Sequence, residues 1–95
     1  MVAVAAIVLH LRIPNCQSLK EKRGNIKPIL ERIHRNLGLS ASEVDLLDHW
    51  QETIIACSIA SNSQIHNQQI LQKVPKFIQT YFTEIDVIDQ EIVLF

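Results

Sequence analysis

The order of apolar and polar positions along this 95-residue chain predicts four strands and two helices. The first segment, MVAVAAIVLHLRI (1–13), is almost wholly apolar and alternates only at its end, which is typical of a strand covered on both faces. TIIACSIAS (53–61) is also apolar on both faces and predicts a second central strand. Residues 40–48 and 83–95 alternate between polar and apolar side chains, so they predict two more strands, the first of them a half-exposed edge strand.

Two further segments repeat their apolar residues at helical spacing, which places those residues on one stripe of a helix. The stripe of the first helix comprises Leu19, Ile26, Leu30, Ile33 and Leu37. The stripe of the second comprises Ile65, Leu71, Val74, Ile78 and Tyr81. Ser18 and Glu21 have the spacing of a capping box before the first helix, and Gly38 supplies its end. Pro28 and Pro75 lie inside the two segments and predict a kink in each helix.

The resulting order, β-α-β-β-α-β, predicts an α+β protein with a ferredoxin-like sandwich. Two split βαβ units give a four-stranded antiparallel sheet with both helices on one face, and the first and third strands are central. Residues 1–95 form a single domain, because a chain of this length builds one hydrophobic core.

The two central strands carry more apolar residues than one layer of helices can cover. Alternation places one set of their side chains on the sheet face away from the helices: Val4, Ala6, Val8, Ile54 and Ala56. Exposed apolar surfaces of this kind usually mark an interface. We therefore expect a homo-oligomer, either a dimer or a tetramer, assembled through the open face of the sheet.

The net charge of −1 conceals an uneven distribution along the chain. Residues 1–38 hold seven basic and two acidic side chains, whereas residues 39–95 hold two basic and eight acidic ones. Four of the basic residues lie in SLKEKRGNIKPI (18–29), at the start of the first helix: Lys20, Lys22, Arg23 and Lys27. They are the candidate contacts to RNA phosphates or to an acidic protein. A solvated helix face explains the same spacing without a ligand, so both interpretations remain open.

No arrangement of residues typical of catalysis or metal binding is evident. EVDLLDHWQE (43–52) combines carboxylates with a histidine but has no known metal-ligand spacing, and an acidic edge strand explains it better. Within it, Trp50 is expected to be a packing anchor at the junction of two strands, with an interface hot spot as the alternative. An acylphosphatase-type enzyme would need a loop arginine after the first strand, and PNCQS (14–18) contains no cation or glycine. The expectation is a non-enzymatic protein without catalytic residues, metal or cofactor.

The apolar N-terminus does not have the pattern of a targeting segment. It lacks a basic region before the apolar run, Arg12 follows the run, and the run is too short to span a bilayer. The two cysteines, Cys16 and Cys57, are too few for a disulfide framework, and both are expected to be structural. These features predict a cytoplasmic protein that does not enter a membrane.

Several short blocks resemble the YlxP-like family, a small bacterial domain of unknown function. The blocks are Pro14 with SLKEKR (18–23), SEVD (42–45), DHWQ (48–51) and SNS (61–63) with His66. The resemblance covers essentially the whole chain and implies a ferredoxin-like fold. Genes of this family commonly lie near those for translation and ribosome-maturation factors, so the resemblance also implies an RNA- or ribosome-linked role.

Overall fold

The strands and helices follow the predicted order, with the second helix divided in two. The computed structural model describes all 95 residues. Its strands are β1 (Ala3–Arg12), β2 (Ser40–Asp45), β3 (Glu52–Ser61) and β4 (Asp86–Leu94), and its helices are α1 (Leu19–Leu37), α2 (Gln64–Leu71) and α3 (Lys73–Tyr81). None of the helices has the length and apolar character that a membrane crossing requires.

The four strands form one antiparallel sheet in the order β2-β3-β1-β4. The predicted ferredoxin-like architecture is therefore confirmed, with β1 and β3 at the centre. Because β1 alternates, one set of its side chains points to the helices, and Ile7, Leu9 and Leu11 there are at most 1% exposed. They join isoleucines and leucines of the helices in a single core between the two layers.

The ends of α1 are set by local chemistry. Ser18 is its N-cap, and its hydroxyl accepts a hydrogen bond from the backbone N–H of Glu21 at 3.0 Å. Gly38 ends the helix with φ of 68°, a left-handed conformation that glycine adopts without a Cβ clash. Pro28 lies within α1 but does not end it.

The second predicted helix is interrupted where a proline requires it. Pro75 has no N–H to donate to the carbonyl of Leu71, and its ring crowds that carbonyl. The chain accordingly leaves α2 at Leu71 and starts α3 at Lys73, with Gln72 between them. The predicted disruption near Pro75 is thus a break between two short helices.

Candidate binding surfaces

Three of the predicted contact residues form an open basic surface on α1. Lys20, Arg23 and Lys27 are exposed, and the structure contains only two ion pairs, neither of which involves them. Arg23 and Lys27 border a groove of 370 Å³ between α1 and the edge strand β2, whose lining is completed by Ile26, Leu30, Glu31 and Glu43. The cations of this surface have no ion-pair partner within the molecule, although two carboxylates share the groove.

Lys22 does not belong to this surface, which corrects its inclusion among the predicted contacts. The residue is 1% exposed, and its Nζ lies 2.9 Å from Oε2 of Glu43. Nζ also donates to the backbone carbonyl of Leu46 at 2.7 Å. Glu43 in turn accepts a hydrogen bond from the buried hydroxyl of Thr53 at 2.6 Å. Burial of an ammonium group is tolerated only with such partners, so Lys22 is a structural residue.

The fold converts the uneven charge along the chain into a difference between its two layers. The three helices hold eight of the nine Lys and Arg residues and only two carboxylates, a net charge of +6. Strands and loops hold Arg12 and eight carboxylates, a net charge of −7. A polyanion would therefore be attracted to the helix layer and repelled from the sheet.

The structure also brings aromatic residues to the helix layer, which the sequence reasoning missed. The guanidinium of Arg32 lies 4.4 Å from the ring centroid of Tyr81 and 5.8 Å from that of Phe77. Tyr81 is 52% exposed, and it lines a cleft of 500 Å³ together with Lys73 and Lys76. These residues belong to α1 and α3, which are far apart in sequence. The i, i+4 spacing of Phe77 and Tyr81 was the only local signal.

The opposite face of the sheet carries the residues predicted for an oligomer interface. In the register of β1 with β3, Val8 pairs with Ala56 and His10 with Ile54, on the face that no helix covers. Val4, Val8, Ile54 and Ala56 are half-buried, and Ala6 is 9% exposed. Toward one end this face becomes polar, where His10 Nε2 lies 2.7 Å from Oε1 of Glu52. The apolar part of this face therefore consists of alanine, valine and isoleucine side chains that are buried or half-buried.

Trp50 is not a packing anchor, which corrects a second expectation. It is 51% exposed and lies in the loop between β2 and β3, where Leu47 is 59% exposed. The loop is attached to the rest of the molecule through other groups. Gln51 Nε2 donates to the carbonyl of Cys16 at 3.2 Å, and the carbonyl of Gln51 accepts from the N–H of Ile13 at 2.8 Å.

An acylphosphatase-type site would lie at the loop after β1, and the cleft beside this loop contains acidic side chains. The cleft has a volume of 510 Å³ and contains Glu21 and Glu84 together with Asn15 and Asn25. Two carboxylates in such a cleft repel a phosphate. The two cysteines are both buried and free, and burial raises the pKa of the Cys57 thiol to about 12. A thiol with so high a pKa is a poor nucleophile at neutral pH.

Fold and surfaces together define a small ferredoxin-like α+β protein with a cationic helix layer and an acidic, partly apolar sheet layer. The chain belongs to the family described as "Protein of unknown function (DUF503)", whose model matches residues 4–92. It is 39% identical over 64 residues to the uncharacterized protein YlxP of Bacillus subtilis (strain 168), a match that covers 67% of this chain and 70% of that protein. The resemblance to the YlxP-like family is confirmed.

Two de novo designed proteins share the fold. Foldit4 is superimposed with a TM-score of 0.53 at 14% identity, covering 100% of this chain and 97% of the design. LFR1 1, a design with a ferredoxin fold, gives a TM-score of 0.56 at 9% identity, covering 100% of this chain and 84% of the design. At such low identity these likenesses establish the architecture alone.

Proposed function

We propose that this protein is a non-enzymatic binding protein whose helix layer takes RNA, in association with ribosomal components. The observation that carries the proposal is the set of exposed cations on α1 and α3 that have no carboxylate partner: Lys20, Arg23, Lys27, Arg35, Lys73 and Lys76. A surface of unpaired cations binds a phosphate backbone favourably because binding releases the counterions that are condensed on the nucleic acid.

The helix layer, rather than the sheet, is the face that suits RNA. Ferredoxin-like RNA-recognition domains stack bases on aromatic residues of the open sheet. The central strands here present small aliphatic residues on that face, such as Ala6, Val8 and Ala56, and the adjoining strand β4 adds Asp89 and Glu91. In contrast, Tyr81 offers an exposed ring beside the cations of the helix layer. Backbone contacts supplemented by stacking at Tyr81 are the proposed mode of binding.

A cytoplasmic, non-catalytic role is part of the proposal. The free thiols of Cys16 and Cys57 suit a reducing compartment. The acid-lined cleft after β1 disfavours acyl phosphates and phosphate esters as substrates.

The test is the affinity for a short labelled RNA hairpin as a function of salt concentration. Replacing Lys20, Arg23 and Lys27 by Gln should weaken binding. It should also make the negative slope of the logarithm of the association constant against log salt concentration shallower by about 2 to 3, if each cation contacts one phosphate. An affinity that is insensitive to salt, or that the triple variant leaves unchanged, would exclude the helix layer as the contact.

A matched control separates a local contact from a change in net charge. Asn62→Asp, Thr83→Glu and Gln90→Glu lower the net charge by the same amount at exposed positions outside the helices. This control variant should bind the hairpin with nearly the affinity of the wild type. In cells, the wild type but not the triple Gln variant should sediment with ribosomal subunits.

A second candidate function is self-assembly through the open face of the sheet. The observation that favours it is the run of Val4, Ala6 and Val8 along β1, which no helix covers and which Ala56 and Ile54 extend on β3. In this alternative the oligomer is the functional unit and no nucleic acid is involved.

A further inference from the structure

The end of β2 and the loop that follows it expose three large apolar side chains. Of the ten exposed large hydrophobic residues in the protein, three lie within seven consecutive positions: Val44 at 51%, Leu47 at 59% and Trp50 at 51% exposure. Tryptophan is the residue most enriched at the energetic centres of protein interfaces. An exposed indole flanked by exposed aliphatic groups is therefore a surface suited to a partner.

Hydrogen bonds, including those from the buried ammonium group of Lys22, hold the backbone of this loop in place. Lys22 Nζ donates to the carbonyl of Leu46 at 2.7 Å and approaches that of Leu47 at 3.5 Å. The same carbonyl of Leu46 accepts the N–H of His49 at 3.0 Å, which closes a tight turn. Leu46 itself has φ of 58°, a conformation that non-glycine residues seldom adopt. A loop ordered before its partner arrives loses less conformational entropy on binding.

The charges around Trp50 indicate the chemistry of the partner. Residues 43–52 contain four carboxylates and no Lys or Arg. Glu43 is paired with Lys22 and Glu52 with His10, whereas Asp45 and Asp48 have no cationic partner. Such a surface repels phosphate groups, and it attracts a guanidinium that can stack on the indole while it pairs with a carboxylate.

We propose that residues 44–50 form a docking surface for an arginine-rich protein segment that also carries aliphatic residues. None of its residues is among the cations of the RNA-binding surface proposed above, although the buried Lys22 of α1 holds its backbone. It is a second surface, beside the N-terminal half of α1, for a ligand of opposite charge.

Trp50 is the only tryptophan in the chain, so its fluorescence reports directly on this surface. The probe is a synthetic peptide of alternating Arg and Leu, with a Glu–Leu peptide of equal length as the control. We expect the Arg–Leu peptide to shift the emission to shorter wavelength and to reduce quenching by acrylamide, because the indole leaves water. The Glu–Leu peptide should change neither.

Variants read out with a fluorescently labelled Arg–Leu peptide identify the contact residues. Trp50→Ser should weaken binding about tenfold or more, and Trp50→Phe should retain much of the affinity because the aromatic face remains. Asp48→Asn should weaken binding and reduce its salt dependence. Ile65→Ser, which removes another exposed apolar residue from α2, is the matched control and should bind like the wild type.

Three outcomes would overturn this proposal. The first is equal affinity of Trp50→Ser and wild type for the peptide. The second is a shift of Trp50 emission with protein concentration alone, which would identify a second copy as the occupant. The third is the same shift on addition of the RNA hairpin. The triple Gln variant of Lys20, Arg23 and Lys27 should still bind the peptide. That result would show that peptide binding does not depend on the proposed RNA site.

Discussion

At the scale of single residues, Lys22 shows how a charged side chain can belong to a core. It lies three positions after Leu19 and four before Ile26, so it occupies the apolar stripe of α1. The helical spacing contained this information, but charge alone suggested a place on the surface. The partners that make its burial tolerable are Glu43 of β2 and the carbonyl of Leu46, just after that strand. A local pattern does not show that this end of β2 packs beside α1.

The buried pair of Lys22 and Glu43 gives a first prediction at this scale. Lys22→Met should lower the free energy of unfolding by roughly 3–5 kcal/mol, because Glu43 then lacks its counter-ion and the Leu46 carbonyl loses one of its two donors. Urea unfolding measures the change. The double variant with Glu43→Gln should lose less than the sum of the two single variants. Lys20→Met, at an exposed neighbouring position, should change stability by less than about 0.5 kcal/mol.

The buried thiol of Cys57 gives a second prediction, for the dependence of stability on pH. Burial raises its pKa from 9.0 to about 12, so between these values the unfolded chain releases a proton that the folded chain retains. Stability is therefore unaffected below pH 9 and falls as pH rises above it. Cys57→Ala should remove this part of the loss, about 1 kcal/mol at pH 10. Equal slopes for both proteins in urea titrations from pH 8 to pH 10 would contradict the assignment.

At the scale of elements, most of the fold was predictable because each segment has one dominant period. β1 and α1 agree closely with the expected ranges, since apolar runs and helical stripes are set by neighbouring residues. Pro75 predicted a disruption of the second helix, but not that the helix would break three residues earlier, at Gln72. The exposure of Trp50 was not predictable, because its loop is held by tertiary contacts that a local pattern does not contain.

The two glycines at α1 give a prediction for this scale, since the same substitution should have opposite effects. Gly24 lies inside the helix with open space around an added Cβ, so Gly24→Ala should raise the free energy of unfolding by about 1 kcal/mol. Gly38 has φ of 68° at the helix end, so Gly38→Ala should lower it by about 1 kcal/mol. Thermal unfolding by circular dichroism distinguishes the two signs, and equal signs would contradict the backbone geometry described.

At the scale of the whole molecule, the separation of charge between layers was only partly visible in the sequence. The basic residues of α1 were evident, but Lys73 and Lys76 lie in the acidic half of the chain and join the cations of α1 only in the folded protein. The meeting of Arg32 with Tyr81 likewise depends on how α1 and α3 pack. The side chains of β1 and β3 that face away from the helices follow from strand alternation and the number of layers, and their role as an interface stays a prediction.

The sheet face away from the helices carries the prediction for this scale. If the protein assembles through its sheet, Val8→Glu should convert the oligomer to a monomer in light scattering, since the carboxylate would be buried without a partner. Lys27→Glu on the helix layer is the matched control and should leave the mass unchanged. A wild-type protein that is monomeric at micromolar concentration would rule out assembly through this face.

The central place of β1 has a consequence for how the protein is made. This strand is synthesised before all of its partners, yet its pairs reach Ser61 on one side and Leu94 on the other. Until those residues are synthesised, a nearly continuous aliphatic ribbon has no hydrogen-bonding neighbour along either edge. Nascent chains of this protein are therefore expected to engage chaperones early and to complete the sheet only after β4 has been synthesised.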